Sequence, residues 1–136
     1  MTTTLVLLTL ILTLTLTSTA VAHPRVTGYP TSRAALRWHA PAWFLKQAAC
    51  IHRFEWRYSW HIHKVDYRGR PSPYSGGMQF LDDTWERAGG TGSAGHWSPW
   101  EQLYRAYRIW DMQDGRVGNG RGDWSEWGTA GKCGLR

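Results

Sequence analysis

Phenylalanine is scarce in this chain, three residues of 136 against ten tryptophans, and Asp and Glu are outnumbered ten to sixteen by Lys and Arg. There are only two cysteines, Cys50 and Cys133, so at most one internal disulfide can form. Internal repeats and long low-complexity tracts are lacking, and the length allows one compact domain and no more. The first 22 residues carry no charged side chain, so the net charge of +6 falls entirely on residues 23–136. That balance suits a partner that is an anionic polymer, such as a bacterial cell wall, a polyanionic matrix or nucleic acid, and charge alone does not choose among them. Nucleic acid is not expected, because the arginines are scattered instead of forming a basic stripe interleaved with aromatics.

The uncharged opening is one long apolar run, "LVLLTLILTLTLTSTAVA", with Ala20-Val21-Ala22 as a small-x-small site. It reads as a signal peptide over residues 1–22. A spanning anchor would need about 20 unbroken apolar residues, and threonines interrupt this run. The reading is therefore export, with no stable membrane association after cleavage. In an oxidising compartment Cys50 and Cys133 are expected to pair, closing a long loop. Tryptophan offers flat apolar faces with a polar N–H. Most of the ten are expected to be structural, with two or three free to touch a ligand.

Residues 23–37 read as a basic lead-in that ends in a helical turn. "APAWFLKQAACIHRFE" has no internal glycine and Pro41 in its first turn, the pattern of a helix. Phe44, Ala48, Ile51 and Glu55 share one face of it, which puts Glu55 at the end of an apolar stripe. "SWHIHKVDY" alternates as a short strand or hairpin does, and "RGRPSPYSGG" reads as turn chemistry. Asp82 or Asp83 is placed to cap a short helix over "DTWERA", stopped by Gly89. Ser98-Pro99-Trp100-Glu101 forms a capping box that opens a helix to about Met112, with Leu103, Tyr107 and Trp110 at helical spacing. The expected fold class is α+β and mainly α, with a short strand or loop region beside the first long helix.

Breaking a glycosidic bond requires a proton delivered to the leaving oxygen, so the acid must still carry it near neutral pH. A carboxyl kept dry against aromatic rings meets that condition. Glu55, in line with Ile51 and flanked by Phe54 and Trp56, has such neighbours. The competing reading is a solvated helix-end charge beside Arg53 or Arg57. Asp66 is the best-placed second carboxylate by position, with no motif to mark it. His61 and His63, with His52 nearby, lack the cysteine or carboxylate that would complete a metal set, so no metal and no cofactor are expected.

Taken in order, "CIHRFE", "YSGGMQFLDDTWERAGG" and the closing "WGTAGKCGL" resemble the resuscitation-promoting-factor and transglycosylase-like domains of actinobacteria and their phages, members of the lysozyme superfamily. The resemblance runs from about Trp38 to Leu135 and implies a small lysozyme-like domain over residues 38–136. It implies Glu55 as the general acid, and a pairing of Cys50 with Cys133. It also implies Gln79 and Thr84 shaping a sugar-binding cleft, Trp85 as a stacking face, and Tyr74 and the aromatic at Trp60 near the same groove. The partner implied is the peptidoglycan glycan strand, cut by a monomer at the β-1,4 bond between N-acetylmuramic acid and N-acetylglucosamine. The segment after the acid departs from the family pattern: Glu55-Trp56-Arg57-Tyr58-Ser59-Trp60 stands where Glu-Ser-Gly-Gly-Asn-Trp/Tyr is usual. Bulky groups in place of glycines require a differently shaped cleft floor. The alternative is an inactive wall-binding protein on the same scaffold.

Overall fold

The computed structural model describes residues 28–57, 59–112 and 122–135. The leader over residues 1–22 and most of the glycine-rich stretch after Met112 lie outside these residues. About half of what is described is helical, with one small sheet. The helices are α1 (Arg33–Arg37), α2 (Ala42–Trp56), α3 (Asp82–Arg87) and α4 (Pro99–Met112). Short 3-10 segments cover Ala94–His96 and Gly128–Cys133. The strands β1 (His63–Val65), β2 (Pro71–Ser75) and β3 (Phe80–Leu81) form an antiparallel sheet in the order β1-β2-β3. The fold class is α+β, mainly α, with one disulfide between Cys50 and Cys133.

The stripe expected on α2 is the one that packs: Phe44, Ala48 and Ile51 are fully buried. They meet Met78, Phe80, Trp85, Ile109, Trp110, Trp124 and Trp127 in one core. Pro41 takes the N-cap position in place of a first-turn one. Indole N–H groups serve as struts between distant segments. Trp100 donates to the Ala35 carbonyl (2.7 Å), Trp124 to Gln47 Oε1 (2.7 Å) and Trp127 to the Met78 carbonyl (2.8 Å). A buried indole must find such a partner, and these links hold α1 to α4 and the closing segment to the middle of the chain. From Pro30 onward the basic lead-in belongs to the packed body. Its Pro30 carbonyl accepts the Ser98 N–H, and the Ser32 N–H reaches Glu101.

Three local readings are corrected. "RPSPYS" supplies β2 where turn chemistry was expected; the pairing of β1 with β2 is irregular between His63 and Val65, and such a break tolerates prolines, which cannot donate to a ladder. The cap of α3 is Leu81, because Asp82 is already helical and turns to Lys64, and Asp83 Oδ1 accepts the N–H of Thr84. In the capping box Ser98 Oγ does accept the Glu101 N–H (3.1 Å), but the Glu101 carboxylate does not reach back. It is fully buried and receives Arg105 Nε and the Ser32 N–H, both at 2.7 Å. Arg105 also donates to the Ala88 carbonyl (2.8 Å), so the pair knots α1, α3 and α4 together. The buried face of α4 thus mixes polar residues with the apolar Ala106, Ile109 and Trp110, and Leu103 and Tyr107 lie only half buried beside it.

The paired glycines after α3 have a steric cause. Gly89 closes the helix at φ +85°, and a side chain on Gly90 would run into the Trp85 indole.

Candidate functional site

Glu55 sits on the last turn of α2, half buried, with Oε1 accepting a 2.7 Å hydrogen bond from the Thr129 hydroxyl. Thr129 belongs to the 3-10 segment Gly128–Cys133, which runs antiparallel along the end of α2. Going up α2, Cys50 is bonded to Cys133, the Phe54 ring faces Lys132 Nζ at 5.5 Å, and Glu55 meets Thr129. One covalent rung and two weaker ones therefore fix the carboxylate against the closing segment.

The carboxylate borders an open cleft of about 420 Å³ lined by Arg53, Phe54, Glu55, Trp56, Arg57 and Tyr67. The aromatic enclosure expected from sequence is looser than a closed box. Phe54 is 44% exposed and Tyr67 70% exposed, so both rings stand at the rim, each with a cation over it: Lys132 Nζ lies 5.5 Å from the centre of the Phe54 ring and the Arg68 guanidinium 5.1 Å from that of Tyr67. Tyr67 rides on a tight turn. The Asp66 carboxylate accepts the N–H groups of Arg68 (2.8 Å) and Arg70 (3.0 Å) and the Nε–H of Arg70 (2.7 Å). Those hydrogen bonds, the Arg70 side chain first, hold the Asp66 carboxyl below the usual carboxylate range. Asp66 is thereby committed to the turn that presents Tyr67, and it does not line the Glu55 cleft.

Three of the other expected site residues do gather. Tyr74 from β2, Gln79 from the β2–β3 turn and Thr84 from α3 line a second, smaller hollow of about 80 Å³, together with Glu126 and Trp127. Gln79 is held in a left-handed conformation (φ 53°) that costs a non-glycine residue about 1 kcal/mol, and its side-chain amide donates to the Gly76 carbonyl at 2.8 Å. Glu126 is paired with Arg87 at 2.9 Å. The two hollows flank one segment: Trp127 lines the smaller, and Thr129, two residues on, holds the acid of the larger.

Two expectations are corrected. Trp85 offers no stacking face: it is 1% exposed, packs against Phe80 and spends its indole N–H on the Thr91 carbonyl. Trp60 lines neither hollow; it lies half buried on the His52 ring, centroids 4.0 Å apart, and its carbonyl accepts the Gln102 amide. The histidines are likewise local supports. His52 Nδ1 donates to the Gly77 carbonyl (2.8 Å) and His61 Nδ1 to that of Gly95 (3.0 Å), while His63 faces His96. Burial lowers the affinity of His52 and His63 for a proton, and in His63 the neighbouring His96 and His61 lower it further. Among the described residues no three His, Cys, Asp or Glu side chains form a group that could hold a metal ion.

Sequence reasoning missed Thr129, Tyr67 and Glu126. Thr129 was within reach, because the two cysteines set the register: five residues past Cys50 lies Glu55, and four before Cys133 lies Thr129. No local signal marks Tyr67.

No protein-family model matches this chain, and neither a curated protein nor a solved structure does so.

Proposed function

We propose that this chain is an exported glycosidase that cuts peptidoglycan at the β-1,4 bond between N-acetylmuramic acid and N-acetylglucosamine, with Glu55 as the general acid. The observation that carries the reading is Glu55 itself. It is half buried, fixed by Thr129, and borders an open cleft rimmed by the exposed rings of Phe54 and Tyr67. Exposed aromatic faces are surfaces on which sugar rings stack, and a positioned carboxyl beside them is where a glycosidic oxygen would receive its proton. The disulfide is compatible with an oxidising, extracytoplasmic setting, and the described residues contain no helix long and apolar enough to cross a membrane.

Among the described residues no second carboxylate lines the Glu55 cleft. A hydrolase of the usual type places two carboxyl groups about 5–10 Å apart across the scissile bond. A lytic transglycosylase manages with one. Its glutamate first protonates the leaving oxygen and then takes the proton of the muramic acid C6 hydroxyl, whose oxygen attacks C1 to leave a 1,6-anhydro end. The single acid favours this second route.

The same observation sustains an alternative, a wall-binding protein without turnover. Arg57 and Trp56 occupy positions where the resembled family carries small residues, and Gln79 and Thr84 line a hollow separate from that of Glu55. A peptidoglycan zymogram of wild type beside Glu55→Gln separates the readings. Clearing by wild type alone is expected. Clearing by both removes Glu55 from the acid's role, and clearing by neither, with both sedimenting on cell walls, leaves binding. Mass spectra of the released fragments then tell anhydro from reducing ends.

A further inference from the structure

The walls of the Glu55 cleft carry more positive charge than a neutral sugar chain needs. Arg53 and Arg57, two residues before and two after the acid in sequence, line it, and Lys132 Nζ stands 5.5 Å from the centre of the Phe54 ring at its rim. Of the exposed cations outside the cleft, Lys64 is answered by Asp82, Arg70 by Asp66 and Arg87 by Glu126, while Arg33, Arg37, Lys46 and Arg68 form no ion pair among the described residues. Arg53 and Lys132 are exposed, and neither forms an ion pair among the described residues. Among the described residues Glu55 is the single carboxylate on the cleft wall, and a hydroxyl, Thr129, donates a hydrogen bond to it. Two arginines and one carboxylate thus line the cleft, with Lys132 over the Phe54 ring at its rim, on a chain of net charge +6.

The geometry points to a cleft that reads an anionic substituent on its glycan, with Arg53 and Lys132 as the specificity-determining cations. This rests on the reading of the cleft as a glycan site, and it holds whether or not the bond is cut. The aromatic rims take the apolar faces of the sugars, and the cations take a carboxylate or phosphate projecting from the chain. Either anion meets the same chemistry: a carboxylate attached to the sugar, or a phosphodiester of a polymer attached to the wall. A polynucleotide would also find rings and cations here, and an oligonucleotide probe in the test separates it from a wall glycan.

The test is binding, measured by calorimetry at low salt on the full chain carrying Glu55→Gln so that no probe is consumed. The probes are an alternating N-acetylglucosamine–N-acetylmuramic acid tetrasaccharide with free lactyl carboxylates, the same sugar with those carboxylates amidated, and polyglycerol phosphate as a competitor. An exposed charge contact changes affinity by up to about fivefold, so two give up to about thirtyfold. The free acid is expected to bind about fivefold to thirtyfold more tightly than the amide. The gap should close in the added double variant Arg53→Gln/Lys132→Gln, and also in about 0.5 M salt. Circular dichroism of the variant must remain that of the parent, which these exposed positions allow. If amidation has no effect but polyglycerol phosphate displaces the sugar in a manner that depends on Arg53 and Lys132, the anion is the phosphate. Equal binding of acid and amide with no competition by polyglycerol phosphate overturns the proposal, as does tighter, rim-dependent binding of a single-stranded oligonucleotide. The zymogram fails separately. Lost clearing with the anion preference intact removes catalysis alone, and clearing without the preference removes the charged rim alone.

Discussion

Breaking the Cys50–Cys133 bridge should cost this fold a large share of its stability. The bond closes a loop with a sequence separation of 83 residues. On the chain-entropy account, the unfolded ensemble released by cutting a loop of that length is favoured by about 4.5 kcal/mol at 25 °C. Whole domains are stable by about 5–15 kcal/mol, so the reduced protein should sit near the edge of folding. The structure adds a local consequence. The segment Gly128–Cys133 is held to α2 by this bond, by the Thr129–Glu55 hydrogen bond and by the Lys132–Phe54 contact, and the last two are individually weak. Guanidinium titrations followed by tryptophan fluorescence, with and without a phosphine reductant, measure the cost; Trp124 and Trp127 lie in the core beside the bridge and report on it directly. A Cys50→Ala/Cys133→Ala variant should match the reduced wild type. A loss below about 1 kcal/mol, with the unfolding slope unchanged, would refute the reasoning, since the closing segment would then be held without its covalent rung.

The buried pair makes a second claim. Arg105→Met should destabilise the fold by about 3–5 kcal/mol, because it strands the fully buried Glu101 carboxylate, whereas Glu101→Leu with Arg105→Met should cost much less; chemical denaturation in a double-mutant cycle reads both. Gly90→Ala should lower stability by about 1–3 kcal/mol through collision with Trp85, seen as a lower Tm and altered near-ultraviolet dichroism. Acidification should destabilise the protein between about pH 7.5 and 5.5. Burial depresses the proton affinity of His52 and His63 in the fold, so the unfolded chain takes up more protons in that window and stability rises with pH. Urea midpoints that stay level or climb on acidification would contradict this. Under the proposed activity, Thr129→Val should lower kcat with KM nearly unchanged and Thr129→Ser should restore it, as expected of a hydroxyl that positions Glu55.

Much of the framework was legible because it rests on local rules. The stripe of Phe44, Ala48 and Ile51 obeys helical spacing, Gly89 stops α3, and two cysteines leave one pairing. Polar residues buried in networks were not legible. Glu101, Gln102 and Arg105 resemble a solvated helix face in sequence, yet each is satisfied by a group far along the chain: Ser32 for Glu101, Trp60 for Gln102, Ala88 for Arg105. Spacing carries no trace of such partners. The site divided in the same way. Spacing put Glu55 at the end of the apolar stripe, but only the resemblance singled it out as an acid; Tyr74, Gln79 and Thr84 do share a hollow, and Trp85 was misassigned because an indole prized for stacking is also the best filler for a core.

The hydrogen bond between Glu55 and Thr129 joins residues 74 positions apart. A chain emerging N-terminus first therefore exposes its carboxylate long before the hydroxyl that steadies it exists. Between those two moments the carboxylate has no hydroxyl to hold it at the end of its helix. Fixing the carboxylate in place is thus a late event in the life of each molecule, gated by arrival of the distal segment and sealed when two thiols lose their hydrogens.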